Sequence, residues 1–181
     1  MELTEKTLHT ETVYRGKIIN LRLDTVLLPN GRTGTREVVE YAGAVAVVAV
    51  NGAREVYLVR QYRYAVGEEL LEIPAGKMNP GEEPSACARR ELSEETGLRA
   101  GSWRHLCSFY STPGFTTEKL HLFLARELEQ AAAHPDADEF LRVVAVPFAE
   151  ALSMIERGEI CDAKTVAGLL YAGRVLNIEK S

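Results

Sequence analysis

Between residues 76 and 98 the chain reads GKMNPGEEPSACARRELSEETGL, which places Glu82, Glu83, Glu91, Glu94 and Glu95 within 23 residues. On a helix of about 3.6 residues per turn, Glu91, Glu94 and Glu95 stand at i, i+3 and i+4 and crowd one face. Like charges at that spacing destabilise a helix by roughly 0.2–0.5 kcal/mol per pair. A solvated helix face ordinarily interleaves lysine, yet no lysine lies between Lys77 and Lys119. Two readings fit the spacing: a charged, solvated face, or hard oxygen donors converging on a divalent cation such as Mg²⁺ or Mn²⁺.

The helix that must carry these residues is expected over 83–96. Pro84 is tolerable only in a first turn, and Gly97 stops the helix as a C′ residue would. Ala86 and Leu92 are expected to face a core. Upstream, LRLDTVLL and TREVVEY flank PNGRTG, where Asn30-Gly31 is a hairpin signal because both residues tolerate positive φ. AGAVAVVAV reads as a buried strand, Asn51-Gly52 as a turn and EVYLVRQYR as its partner strand. Strands follow near 103–111 and 118–126, then RVVAVPF. Two helices close the chain, the second capped by Asp162. HPDADE reads as an exposed acidic loop. Strands and helices alternating irregularly predict a mixed, layered α/β architecture. Residues 1–42 carry no helix signal and are expected to form a separate β-rich region before a second domain at 43–181.

Bulk properties exclude several classes. The net charge is −5, from 21 Lys+Arg against 26 Asp+Glu. That balance gives no electrostatic footprint for duplex nucleic acid and no polybasic patch for an anionic membrane. An anionic substrate would need a metal or local arginines to attract it. Hydrophobic content of 46% suffices for a core. No apolar run approaches the roughly 20 residues that span a bilayer, and the N-terminus lacks the apolar segment of a signal peptide. Cys87, Cys107 and Cys161 make neither a zinc pattern nor an even disulfide set, so a cytoplasmic protein with reduced thiols is expected. Cys87 reads as a small residue beneath the glutamates, and His9, His105, His121 and His134 show no ligand spacing.

The glutamate stretch is more specific than a charge cluster. It reads Gly76, five residues, Glu82, seven residues, Arg90-Glu91-Leu92, one residue, Glu94-Glu95, one residue, Gly97-Leu98. Every position matches the Nudix box, so the chain resembles the Nudix hydrolases. The resemblance implies an α/β/α sandwich in which the box forms a loop–helix–loop. By position, Glu91, Glu94 and Glu95 become ligands of Mg²⁺, or of Mn²⁺ in its place, joined by the Ala75 carbonyl. Arg90 is expected to pair with Glu82 or Glu94, Leu92 and Leu98 to anchor the motif, and Gly76 and Gly97 to permit tight loops. A pyrophosphate repels attacking water, and a bridging cation neutralises that charge and acidifies a bound water.

Further segments narrow the resemblance. Pro113, in FYSTPGFTTE, lies 15 residues after Leu98. VRQYRYAVGEELLEIPAGK, DADEFLRV and DAKT agree with it in resembling the ADP-ribose pyrophosphatase subgroup. That likeness implies hydrolysis of ADP-ribose to AMP and ribose 5-phosphate by a homodimer whose N-terminal region contributes to the partner's substrate site. By position, Arg63 contacts the diphosphate, Arg36 and Glu37 the neighbourhood of the adenine, and Pro113 marks the subgroup's substrate site. Glu139 acts as general base or extra ligand, completing with Glu94, Glu95 and Arg90 the catalytic set; Asp136 and Asp138 are weaker candidates. The alternatives are hydrolysis of other ADP- or GDP-sugars, and a silent Nudix module that senses a nucleotide and binds a partner.

Overall fold

The computed structural model describes residues 2–131 and 140–178. The chain packs as two units: residues 1–43 with 110–119, and 44–109 with 120–181.

The first unit is an antiparallel sheet of β1 (Lys6–Arg15), β2 (Ile19–Leu27) and β3 (Thr33–Tyr41), in that order. The expected hairpin joins β2 to β3. Gly31 sits at φ 81°, where a side chain would be strained, and the Asn30 Oδ1 accepts from the Arg32 N–H at 3.0 Å. Segment 110–119 lies along β3: the Val39 N–H donates to the Phe115 carbonyl at 2.8 Å, and the Thr117 N–H donates to the Val39 carbonyl at 3.0 Å. β1 is exposed along its whole length and carries Leu8, Val13 and Tyr14 outward.

The second unit is built on a mixed sheet. Its strands are β4 (Ala44–Val50), β5 (Glu55–Arg63), β6 (Glu68–Glu72), β7 (Ala75–Lys77), β8 (Leu98–Tyr110), β9 (Lys119–Gln130) and β10 (Leu141–Pro147). The order is β10-β5-β4-β9-β8, with β6 on β5 and β7 on β4; β4 and β9 run parallel. Its helices are α1 (Pro84–Thr96), α2 (Phe148–Glu156) and α3 (Ala163–Leu176). β4 is buried on both faces, as its unbroken apolar sequence predicts. Ala46, Val48 and Val50 join a core with Phe148 and Ala151 of α2 and Leu169 and Ala172 of α3. Val45, Val47 and Ala49 join another with Cys87, Ala88 and Leu92 of α1. Helices therefore cover both faces of the sheet, the α/β/α layering expected. The short apolar run at 68–77 has no alternation to mark it, yet forms β6 and β7 where β4 and β5 diverge.

The glutamate helix begins and ends where the sequence places it. Pro84 occupies the first turn, and Gly97 at φ 66° donates its N–H to the Ser93 carbonyl. Its inner face differs from expectation. Ala86 is exposed, and the buried residues are Cys87, Ala88, Glu91, Leu92, Glu95 and Thr96. Two of the glutamates thus belong to the packed side of α1. Among the described residues no helix is long and apolar enough to cross a membrane.

Candidate active site

Glu91 is 7% exposed and Glu95 3%. A buried carboxylate is costly unless paired or hydrogen-bonded. For Glu91 the partner is Arg90, whose Nη1 donates to Glu91 Oε1 at 2.7 Å and to Glu94 Oε2 at 2.8 Å. The same guanidinium donates from Nε to Glu82 Oε1 at 2.9 Å and from Nη2 to Glu82 Oε2 at 3.0 Å. These bonds from Arg90 hold the Glu82 carboxyl down at about 2, and the same contacts, Glu82 foremost, raise the Arg90 pKa. Glu95 accepts from the Ala75 N–H at 3.1 Å. Three carboxylates, those of Glu82, Glu91 and Glu94, thus share one guanidinium.

The glycine at the start of the motif has a packing role. Gly76 lies within β7 at no positive φ, so the expected loop freedom is not what the position uses. A Cβ built there would overlap the Glu91 carboxylate. Gly97 does need its left-handed conformation. Leu92 and Leu98 are buried at 0% and 2%, the anchors expected of them. Cys87 is fully buried in the same core, and burial pushes its thiol up to about 12, so it is neutral at physiological pH.

The strand before β7 holds a polar network that the sequence reading did not pick out. Arg63 donates from Nε and Nη2 to the two oxygens of Glu72, both at 2.7 Å. Glu72 is 1% exposed and also pairs with Lys164 Nζ. Lys164 donates in turn to Asp162 Oδ1 at 2.9 Å. The Glu72 bond raises the Arg63 pKa against burial, and the charge of Glu95 adds to it. Asp162 caps α3 as expected, accepting from the Thr165 N–H at 2.9 Å. The Thr165 hydroxyl donates to Asp162 Oδ2 at 2.6 Å and accepts from the Ile73 N–H at 3.0 Å. The first turn of α3 thus fixes the backbone two residues before Ala75. The available signal was a lone glutamate inside the apolar run LLEIPA, followed far downstream by DAKT.

A NUDIX domain model matches residues 40–169, and a nucleoside diphosphate sugar hydrolase N-terminal domain model matches residues 5–39. The chain belongs to the Nudix hydrolase family. It is 43% identical over 171 residues to an ADP-ribose pyrophosphatase of Bacillus subtilis, covering 93% of this chain and 92% of that one. It is 42% identical over 169 residues to a methanol dehydrogenase activator of Bacillus methanolicus, covering 92% and 91%. It is 38% identical over 146 residues to a GDP-mannose pyrophosphatase of Escherichia coli, covering 75% and 76%. The crystal structure of an ADP compounds hydrolase superposes with a TM-score of 0.88 over 98% of this chain and 97% of that chain, at 24% identity, a likeness of fold.

Nudix hydrolases generally need a divalent metal, and the donors of this Nudix box fit one. Carboxylates with a backbone carbonyl are hard oxygen ligands, the set that suits Mg²⁺, Mn²⁺ or Ca²⁺. Arg90 donates to one oxygen each of Glu91 and Glu94 and so orients both carboxylates. Among the described residues no three acidic, His or Cys groups converge into a preformed cage.

The remaining candidates fall in the first unit or outside the described residues. Arg36, Glu37 and Pro113 line one cavity of about 350 Å³ with Glu5, Asp24 and Phe115. Arg36 donates from Nε to Glu5 Oε2 at 2.9 Å. Asp24 lies directly across from Arg36 on β2, and its Oδ1 is buried without a partner among the described residues. Glu139, Asp136 and Asp138 lie outside the described residues. Spacing gave no sign of the link between His105 and His121, both of which hydrogen-bond to the Ser108 hydroxyl, at 3.0 and 2.9 Å.

Proposed function

We propose that this protein is an ADP-ribose pyrophosphatase, hydrolysing ADP-ribose to AMP and ribose 5-phosphate with Mg²⁺, for which Mn²⁺ can substitute. The carrying observation is Arg90 spread over Glu82, Glu91 and Glu94, which holds the carboxylates of the Nudix box together, in a chain alike over nine-tenths of its length to an enzyme of that name. Glu91, Glu94 and Glu95, with the Ala75 carbonyl, would hold the cation. When bound it would neutralise the diphosphate and acidify a water. Arg90 keeps the glutamates together. Arg63 is clamped on one side by Glu72, and its Nη1 edge, which Glu72 does not take, is assigned to a diphosphate oxygen. Arg36, Glu37 and Pro113 are assigned to the adenosine end, and Glu139 to general-base or ligand duty.

The assembly is read as a cytoplasmic homodimer formed through residues 1–42. Its support is the apolar surface of the first sheet, where Leu8, Val13 and Tyr14 are each more than half exposed. The acidic balance gives no basis for nucleic acid or an anionic membrane as partner.

The test is product analysis after incubation with ADP-ribose, GDP-mannose and ADP-glucose in Mg²⁺. Equimolar AMP and ribose 5-phosphate, with ADP-ribose turned over at the highest kcat/KM, is expected. GDP-mannose preferred would move the assignment to the GDP-sugars, for which the Escherichia coli relative speaks. A second reading, a module that acts on a partner protein, is favoured by the Bacillus methanolicus relative; tight ADP-ribose binding with no turnover would select it.

A further inference from the structure

On the antiparallel β5–β10 pair, Arg142 stands directly opposite Arg60. One step inward on the same face, Leu58 is fully buried and its partner Val144 packs on the core beneath α2 and α3. One step outward lies Tyr62, with Glu69 of β6 as its neighbour. Phe140, the residue before β10, is 87% exposed and Tyr62 is 58% exposed. All of these outer residues line one cavity of about 390 Å³, within the size range of small-molecule sites.

Like charges directly opposite on a β-ladder are destabilising. Among the described residues no carboxylate forms an ion pair with Arg60 or Arg142, and Glu69 shares the cavity without bonding to either. An exposed aromatic residue adds nothing to the fold that a polar one would not. Two adjacent guanidinium groups, neither in an ion pair with a described residue, beside two exposed rings are an arrangement that a bound ligand would stabilise. A phosphate dianion matches two guanidinium groups in charge and donor geometry. A flat heterocycle matches the rings, and ribose hydroxyls would donate to the Glu69 carboxylate.

We propose that the cavity between β5, β6 and the start of β10 binds a nucleoside monophosphate, with its phosphate across Arg60 and Arg142 and its base against Tyr62 and Phe140. The site lies on the sheet face that α2 and α3 cover, whereas the glutamate helix covers the other face. It stands whether or not the hydrolytic reading does.

Calorimetric titration of the full-length protein in EDTA tests it, with AMP, ribose 5-phosphate and inorganic phosphate as probes. One AMP per chain is expected, bound at least tenfold tighter than phosphate, with ribose 5-phosphate between. Arg142→Glu should weaken AMP binding more than tenfold while raising the melting temperature by about 1 °C, because it replaces a repulsive pair with an attractive one. Arg60→Gln should weaken binding similarly and serves as the second variant. The assignment is overturned by an AMP titration without heat, by affinity for phosphate equal to that for AMP, or by AMP binding that survives both arginine changes.

Discussion

The carboxylate of Glu91 lies where a Cβ on residue 76 would have to be. The motif's first glycine is therefore a receptacle for its central glutamate, in the next element of the chain. Gly76→Ala should push Glu91 out of line with Glu94 and Glu95. A displacement of about 1 Å at a catalytic group can lower turnover on the order of 100-fold. Overpacking of this kind destabilises by about 1–3 kcal/mol. Steady-state kinetics and thermal melting together check this, and a variant with unchanged kcat would refute the packing role.

Arg90 reaches Glu82, Glu91 and Glu94 at once through a planar fork. Lysine offers a point charge in place of the fork, so Arg90→Lys should lose most of the activity that Arg90→Gln loses. Because Arg90 is about one-third exposed, the stability loss in Arg90→Gln should be about 1–2 kcal/mol rather than that of a fully buried pair. The gap in melting temperature between Arg90→Gln and wild type should widen when EDTA is replaced by Mg²⁺, since a bound cation stabilises the folded state in step with its affinity and Arg90 holds the ligands in place. An identical gap in both buffers would count against the glutamates as metal ligands.

The features legible in the sequence were those carried by local chemistry. Asn30-Gly31 announces its hairpin, the unbroken run of β4 its burial, and Pro84, Gly97 and Asp162 their helix ends. The placing of Glu91, Glu94 and Glu95 was legible because each sits at a fixed offset along one helix. Long-range chemistry was not legible. Ala86 and Ala88 look alike until the sheet decides which of them faces it. Glu72 and Lys164 stand 92 residues apart, and neither β6 nor the start of α3 carries a pattern that names its partner. Likewise the need for glycine at 76 arises from a side chain in another element, so no turn signal marks it.

Glu72 gives a pH signature. Burial alone would raise its pKa, but the bonds from Arg63 and Lys164 outweigh burial and the net shift is downward from 4.5. A carboxyl whose folded pKa is depressed contributes stability that is present above its unfolded pKa and lost as pH falls through the folded one. Thermal melts from pH 8 to pH 3 should show Glu72→Gln destabilised by about 3 kcal/mol at neutral pH. That difference should begin to shrink once the pH drops below about 4.5. A difference that grows on acidification would contradict the ion-pair network.

The most direct test of the account is the affinity of the α1 carboxylates for a divalent ion. Free Mn²⁺ can be followed by electron paramagnetic resonance as wild-type protein and the Glu91→Gln, Glu94→Gln and Glu95→Gln variants are titrated. Wild type should bind Mn²⁺, and each variant should lose at least tenfold in affinity, in parallel with its loss of ADP-ribose hydrolysis. Mn²⁺ binding unchanged in all three variants, each still folded by its melting curve, would contradict it.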